Sequence, residues 1–64
     1  MVEKIKVLVV DDAAFMVKAV SELLESDPGI KIVGHARNGL EGLEKIKTLH
    51  PDVITLDMDM PVMD

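Results

Sequence analysis

The sequence predicts an α/β fold, a three-stranded parallel sheet in the order 2-1-3 whose strands are joined by two helices. Three observations predict it. Two short runs, Val7-Leu8-Val9-Val10 and Val53-Ile54-Thr55-Leu56, are continuously strand-forming with no polar alternation, as strands buried on both faces of a parallel sheet read. Two other stretches carry apolar residues at helical spacing. The two kinds of pattern alternate along 64 residues with no linker, low-complexity segment or further repeat, as consecutive βαβ units do.

The elements follow in order. After the first strand, Val7–Val10, the period changes: Ala13, Val17, Val20 and Leu24 step by four, three and four, and Met16 and Leu23 widen the stripe. Lys18, Ser21, Glu22 and Glu25 fill the opposite side, which makes an amphipathic helix. Ser26-Asp27-Pro28-Gly29 stops it and turns the chain. Ile30–Ala36 reads as the second strand, and Lys31 between Ile30 and Ile32, with Gly34-His35 behind, gives it a less buried edge position. Asn38 followed by Glu41 resembles a capping box with Asn in the place of Ser or Thr. Leu40, Leu43, Ile46 and Leu49 form the second helical stripe, Pro51 limits it, and Val53–Leu56 is the third strand. Helical connections between parallel strands cross over right-handedly, so the helices cover one or both faces of the sheet. The two most apolar strands claim its centre and leave the second strand at an edge.

Composition excludes several functions. Sixty-four residues permit one small domain or part of a larger one. Below about 70–80 residues a chain rarely buries enough apolar surface without a disulfide, a metal or a partner. There is no cysteine, which rules out disulfides and thiolate metal sites. An oxygen-ligated metal, idealised packing or association remains. A hydrophobic content of 48% argues against disorder. The net charge of −5, scattered basic residues and a single aromatic, Phe15, argue against nucleic acid as a partner. No apolar run approaches the roughly 20 residues that span a bilayer, and the run in MVEKIKVLVVDD ends in two acids, unlike a signal peptide. The expectation is a soluble, cytoplasmic protein with no membrane partner.

The chemistry lies where the strands end. Val7–Val10 leads into Asp11-Asp12, and Val53–Leu56 leads into Asp57. If these strands are parallel neighbours, about 4.8 Å apart, the acids emerge at one carboxyl edge, where open α/β sheets bind their ligands. Two unit charges about 4 Å apart repel by about 4 kcal/mol at an effective dielectric of 20. Either one acid takes up a proton or a cation sits among them, and a hard ion such as Mg²⁺ suits all-oxygen ligation. Asp11, Asp12 and Asp57 are therefore read as a divalent-cation pocket, to which Asp59 adds a loop carbonyl or a side chain. The plainer alternative makes Asp12 only the N-cap of the first helix; two strands of matched length, both ending in acids, favour the pocket.

Other candidates carry less. His35 and His50 fall on different elements and read as surface residues. Met58, Met60 and Met63 read as apolar contacts rather than a soft-metal box. Gly39 and Gly42 form no phosphate-binding loop, no Ser–His or Cys–His pairing suggests a nucleophilic triad, and Lys4, Lys6, Lys45 and Lys47 belong on solvated faces.

VLVVDDAAFM followed by a helix, and PDVITLDMDMPVMD, resemble the receiver domain of two-component response regulators. Within that family the TLDMDMPVMD run is most similar to chemotaxis receivers, notably the receiver of the protein-glutamate methylesterase. The resemblance covers essentially the whole chain, and the paired acids with D-M-D-M-P-x-M-D at this separation make it specific. It implies a flavodoxin-like, doubly wound sheet, of which residues 1–64 supply the first three strands and two helices. It implies that Asp57 is the phosphoacceptor, taking a phosphoryl group from a histidine kinase. Asp11 and Asp12 would hold Mg²⁺, with Asp59 contributing its backbone carbonyl. The metal would neutralise charge on the phosphoryl oxygens, so that an anion can attack an anion. Pro61 would fix the loop behind the acceptor, and Met60 and Met63 would pack it down. Ala13 stands where many receivers carry a small hydroxyl residue.

Receivers of this family are longer, with five strands. The Ser or Thr closing the fourth strand and the Lys closing the fifth, which contact the phosphoryl group, have no counterpart here, nor has a methylesterase domain. The expectation is a truncated receiver domain, impaired in phosphorylation and switching and not itself an enzyme.

Two alternatives stay open. A sheet ending at its third strand leaves an edge that recruits another chain, which predicts a homo-oligomer, an assembly fragment without signalling activity. Asp57-Met58-Asp59 also resembles the D-x-D nucleophile motif of haloacid-dehalogenase-type phosphatases. That motif opens the first strand of those enzymes and is followed by Gly or Thr; here it closes the third, and Met60-Pro61 follows.

Overall fold

β1 (Ile5–Val10), α1 (Ala14–Glu25), β2 (Ile30–Ala36), α2 (Gly39–Leu49) and β3 (Val53–Leu56) follow in the predicted alternation, in a computed structural model that describes residues 3–56. The strands form one parallel sheet in the order β2-β1-β3. Continuous burial puts β1 in the middle: Val7, Leu8, Val9 and Val10 are all at most 3% exposed. The other apolar run differs from its expected interior place. β3 has one neighbouring strand among the described residues, and Val53, Ile54 and Leu56 are exposed. Continuity of apolar residues shows that a strand can be covered on both faces, not that the surrounding residues cover it.

The two connections run in opposite directions across the sheet, since β2 and β3 flank β1 on different sides. Right-handed crossovers then place α1 and α2 on opposite faces. Side chains alternate across β1, and Leu8 and Val10 cluster with Ala36 of β2 and with Ile46 and Leu49 of α2. α1 packs over β1 and β2 with Val17, Val20 and Leu24 half-buried. Its stripe is narrower than predicted: Met16 and Leu23 are exposed, and so is Phe15, at 74%. Among the described residues no helix is long and apolar enough to cross a membrane.

Local hydrogen bonds close the ends of several elements. The Asp27 carboxylate accepts the Gly29 N–H at 2.8 Å, and the Gly29 carbonyl accepts the Ile5 N–H at 2.7 Å, which brings β2 in beside β1. Asn38 caps α2 by accepting the Glu41 N–H at 2.9 Å. The return bond of this capping box is shifted by one residue, because Glu41 Oε1 accepts from the Arg37 N–H at 3.3 Å and not from Asn38. α2 closes at His50, exposed and left-handed at φ 49°, whose N–H reaches the Ile46 carbonyl at 3.1 Å.

Two glycines let α2 lie close to the sheet. Gly42 is buried, and a Cβ there would stand 3.3 Å from Val10 Cγ2. At Gly34 a Cβ would stand 2.7 Å from Leu49 Cδ1 and 3.6 Å from Leu8 Cδ1. The β1–β2 register also slips here, from Val7↔Ile32 to Leu8↔Gly34. Leu49 can rotate away from a single added methyl, but a branched side chain presses on Leu8 as well. Gly34→Val is expected to lower stability by about 1–3 kcal/mol, the usual cost of overpacking, measured as a fall in the urea midpoint at unchanged slope.

Candidate functional site

The site is built from register. Val7, Leu8, Val9 and Val10 lie opposite Val53, Ile54, Thr55 and Leu56, residue for residue. The two runs therefore end level, and the next residue in each is an acid, Asp11 after β1 and Asp57 after β3. The alignment is set at the far end of the strands. Asp52 Oδ2 accepts the Lys6 N–H at 2.9 Å, while the Asp52 N–H donates to the Lys6 carbonyl at 2.8 Å. This two-way clamp fixes where β3 begins beside β1. Asp52 was not singled out from the sequence, because its partner is the backbone of a residue 46 positions away and no local pattern announces it.

Asp11 is held on two sides. Its N–H donates to the Ala36 carbonyl at 3.0 Å, carrying the β1–β2 ladder one residue past the strand. Its Oδ1 accepts the Ala13 N–H at 2.9 Å, a turn that aims the carboxylate back over the start of α1. The side chain is buried, with the residue 7% exposed. Asp12 beside it is exposed. The plainer expectation that Asp12 caps α1 is corrected: the N-cap position is Ala13, with no side-chain bond. The Asp11 side chain accepts from the Ala13 N–H and Ala13 is extended, so the helix starts one residue later than an Asp12 cap requires.

Asp57 and Asp59, with Met58, Met60, Pro61 and Met63, lie outside the described residues. Two of the four expected metal ligands, Asp11 and Asp12, are therefore described, and no group of three potential ligands gathers among the described residues. The donor chemistry fits the ion nonetheless. The two acids are adjacent carboxylates, and the one ion pair among the described residues, Arg37 with Glu41, involves neither. Adjacent carboxylate oxygens suit a hard divalent cation such as Mg²⁺.

Asp11 also stands between two concavities. A cleft of about 360 Å³ lies between α1 and the β1–β3 ends, lined by Val9, Asp11, Met16, Val20, Thr55 and Leu56. A second groove, of about 350 Å³, lies between α1 and the end of β2 and includes Asp11, Lys18, Ser21, His35 and Arg37. No local pattern marks this second groove, because its α1 and β2 residues are far apart in the chain. His35, expected at the surface, is exposed there, and Lys45 Nζ donates to its carbonyl at 2.7 Å.

Residues 7–64 match the response regulator receiver domain. The chain is 62% identical, over all its 64 residues, to a protein-glutamate methylesterase/protein-glutamine glutaminase of Halalkalibacterium halodurans, of which it spans 18%. It is 65% identical over 60 residues to a protein of the same description from Oleidesulfovibrio alaskensis, of which it spans 16%. Among solved structures it is similar to the response regulator domain of Thermotoga maritima CheB, with a TM-score of 0.89 and 48% identity, over 97% of this chain and 46% of that one. It is also similar to a chain of the complex between the P1 domain of CheA3 and CheY6 from R. sphaeroides, with a TM-score of 0.84 and 41% identity, over 97% of this chain and 49% of that one. The chain thus spans under a fifth of these curated relatives and about half of the solved domains.

Proposed function

The chain belongs to the response regulator receiver family, and from that premise we propose that its 64 residues form the phosphoacceptor half of a cytoplasmic chemotaxis receiver. Asp57 takes the phosphoryl group, from a phosphohistidine of a kinase-type partner. A carboxylate oxygen of Asp57 attacks phosphorus, the P–N bond breaks, and the imidazole nitrogen leaves with the electron pair and takes up a proton. Mg²⁺, when bound, offsets the charge on the phosphoryl oxygens. Asp11, Asp12, Asp57 and Asp59 are its proposed ligands. Asp11 is held in place by its backbone bond to Ala36 and by the Ala13 N–H on its Oδ1, which leaves Oδ2 for the ion.

The observation that carries this reading is the level register of β1 and β3 ahead of Asp11 and Asp57. The partner is supported by the complex of CheY6 with the P1 domain of CheA3. In a protein of the curated relatives' length this segment would be regulatory, and methylesterase and glutaminase chemistry would lie in residues outside these 64. As an isolated 64-residue polypeptide it is expected to bind Mg²⁺ but to accept phosphoryl groups slowly, because the later strands of the family also contact that group.

Mg²⁺ titration followed by amide NMR tests the pocket. Saturable shifts at Asp11, Asp12, Ala13 and Asp57 are expected. A flat spectrum up to tens of millimolar, beyond the range on the order of 10⁻⁴–10⁻³ M for weak oxygen-ligated sites, would contradict it.

A second reading is favoured by β3, whose Val53, Ile54 and Leu56 are exposed and whose outer edge has no strand beside it among the described residues. The isolated polypeptide is expected to pair this edge with that of a second copy and to sediment as a discrete oligomer. A folded monomer across a wide concentration range would remove this reading while leaving the phosphoacceptor reading intact.

A further inference from the structure

β2 stands at the end of the sheet, with β1 on one side and no strand on the other among the described residues. In a strand the N–H and C=O of one residue point to the same side, and successive residues alternate. The Gly29 carbonyl accepts from Ile5, so Gly29 faces β1 while Ile30 and Ile32 face outward. The Ala36 carbonyl accepts from Asp11, so His35 faces outward too, and the register slip between Val7 and Leu8 absorbs the odd residue. Three of these outward groups already have partners. The Ile30 N–H reaches the Asp27 carbonyl at 3.1 Å. Glu25 Oε2 accepts the Ile32 N–H at 3.4 Å, and Lys45 Nζ donates to the His35 carbonyl at 2.7 Å. Glu25 ends α1 and Lys45 belongs to α2, so the two side chains come round opposite faces of the sheet to one edge. β3 has no such cover: among the described residues no side chain bonds to the backbone of Val53–Leu56.

We propose that Glu25 and Lys45 guard the β2 edge and keep a second copy of this chain from adding a strand there. A strand edge recruits through its free N–H and C=O groups. A charged side chain seated on such a group makes a stronger bond than a neutral one, and an incoming strand has to displace both. Lys45 makes the shorter bond and carries the larger share of the effect. Pairing through one edge closes at a dimer, whereas pairing through two edges has no end, so these two side chains set the limit of association. That the unmodified chain stops at a dimer through β3 rests on the second reading above; closure of the β2 edge does not.

Sedimentation velocity of Glu25→Ala with Lys45→Ala over a wide concentration range tests this, with hydrogen exchange of the Ile32 and His35 amides on the same samples. Alanine favours helix at both positions, and circular dichroism checks that the fold is kept. The variant is expected to form species at least about twice the mass of the wild type's, growing with concentration, with slower exchange at Ile32 and His35. Glu25→Gln with Lys45→Arg keeps an acceptor and a donor at the two groups and should sediment like the wild type. Should the alanine pair lose its fold, Lys45→Met, which keeps the apolar stem and removes the donor, carries the same test. A monomeric wild type would remove the β3 reading, and new association of the alanine variant through β2 would still support the guarded edge. A folded alanine variant that sediments like the wild type, growth without added protection at Ile32 and His35, or equal growth of the Gln–Arg variant would overturn the proposal.

Discussion

Asp57→Asn is expected to leave the chain folded and to bring phosphoryl incorporation below detection. The substitution keeps the size of the side chain and removes the one group the account makes a nucleophile, since an amide oxygen cannot replace a carboxylate in covalent catalysis. Asp59→Asn separates the readings. If Asp59 contributes only its backbone carbonyl, incorporation persists, because the substitution leaves that carbonyl in place. If the chain instead turned over a generic phosphate ester, and lost that turnover in Asp59→Asn, the D-x-D phosphatase alternative would regain its standing. Quantitative phosphorylation assays of the wild type and both variants, with circular dichroism as the folding control, decide among these.

The largest stability effect is expected at Leu8. Its side chain is fully buried, at 0% exposure, in the cluster with Val10, Ala36, Ile46 and Leu49. Leu8→Ala removes that contact and leaves a cavity, at a cost of about 2–5 kcal/mol. Whole domains are stable by only about 5–15 kcal/mol, and small ones fall at the low end. The variant is therefore expected to be largely unfolded at room temperature. Phe15→Ala supplies the contrast. Phe15 is the chain's one aromatic residue and the type most often assumed to anchor a core, but it is 74% exposed. Its removal should change stability within about 0.5 kcal/mol, as surface substitutions do. Urea denaturation of both variants measures the difference.

Much of this molecule is legible in its sequence because the informative features are local. β1 announces itself by four consecutive buried residues, and α2 by the Asn38–Glu41 spacing that closes into an observed cap. The strand order follows from β2's mixed lysine and glycine composition, which suits an edge. What stayed illegible depends on long-range geometry. The Asp52 clamp joins the start of β3 to the backbone of Lys6, and Gly34 is needed only because Leu49 comes to rest above it. Met16 and Leu23 satisfy the helical period but are exposed, so periodicity overstated the width of the buried stripe.

The site divides in the same way. Runs of matched length ahead of Asp11 and Asp57 were visible in the sequence, and the structure turns that match into residue-for-residue register. Which acid does which job was not visible. Asp11 and Asp12 are identical in type and adjacent, yet one is buried and bonded to the Ala13 N–H while the other is exposed. That difference arises from the direction in which the chain turns into α1. The groove between α1 and β2 was hidden because its lining residues come together only through the β1–α1–β2 crossover.

Phosphorylation of Asp57 is tested most directly by peptide-resolved mass spectrometry of the chain after incubation with Mg²⁺ and a small-molecule phosphodonor. One phosphoryl group is expected, on the peptide containing Asp57, dependent on Mg²⁺ and absent from Asp57→Asn. A chain that stays unmodified while Mg²⁺ shifts its Asp11 and Asp12 amides, or one modified at another residue, would contradict the claim that this sheet edge is a phosphoacceptor site.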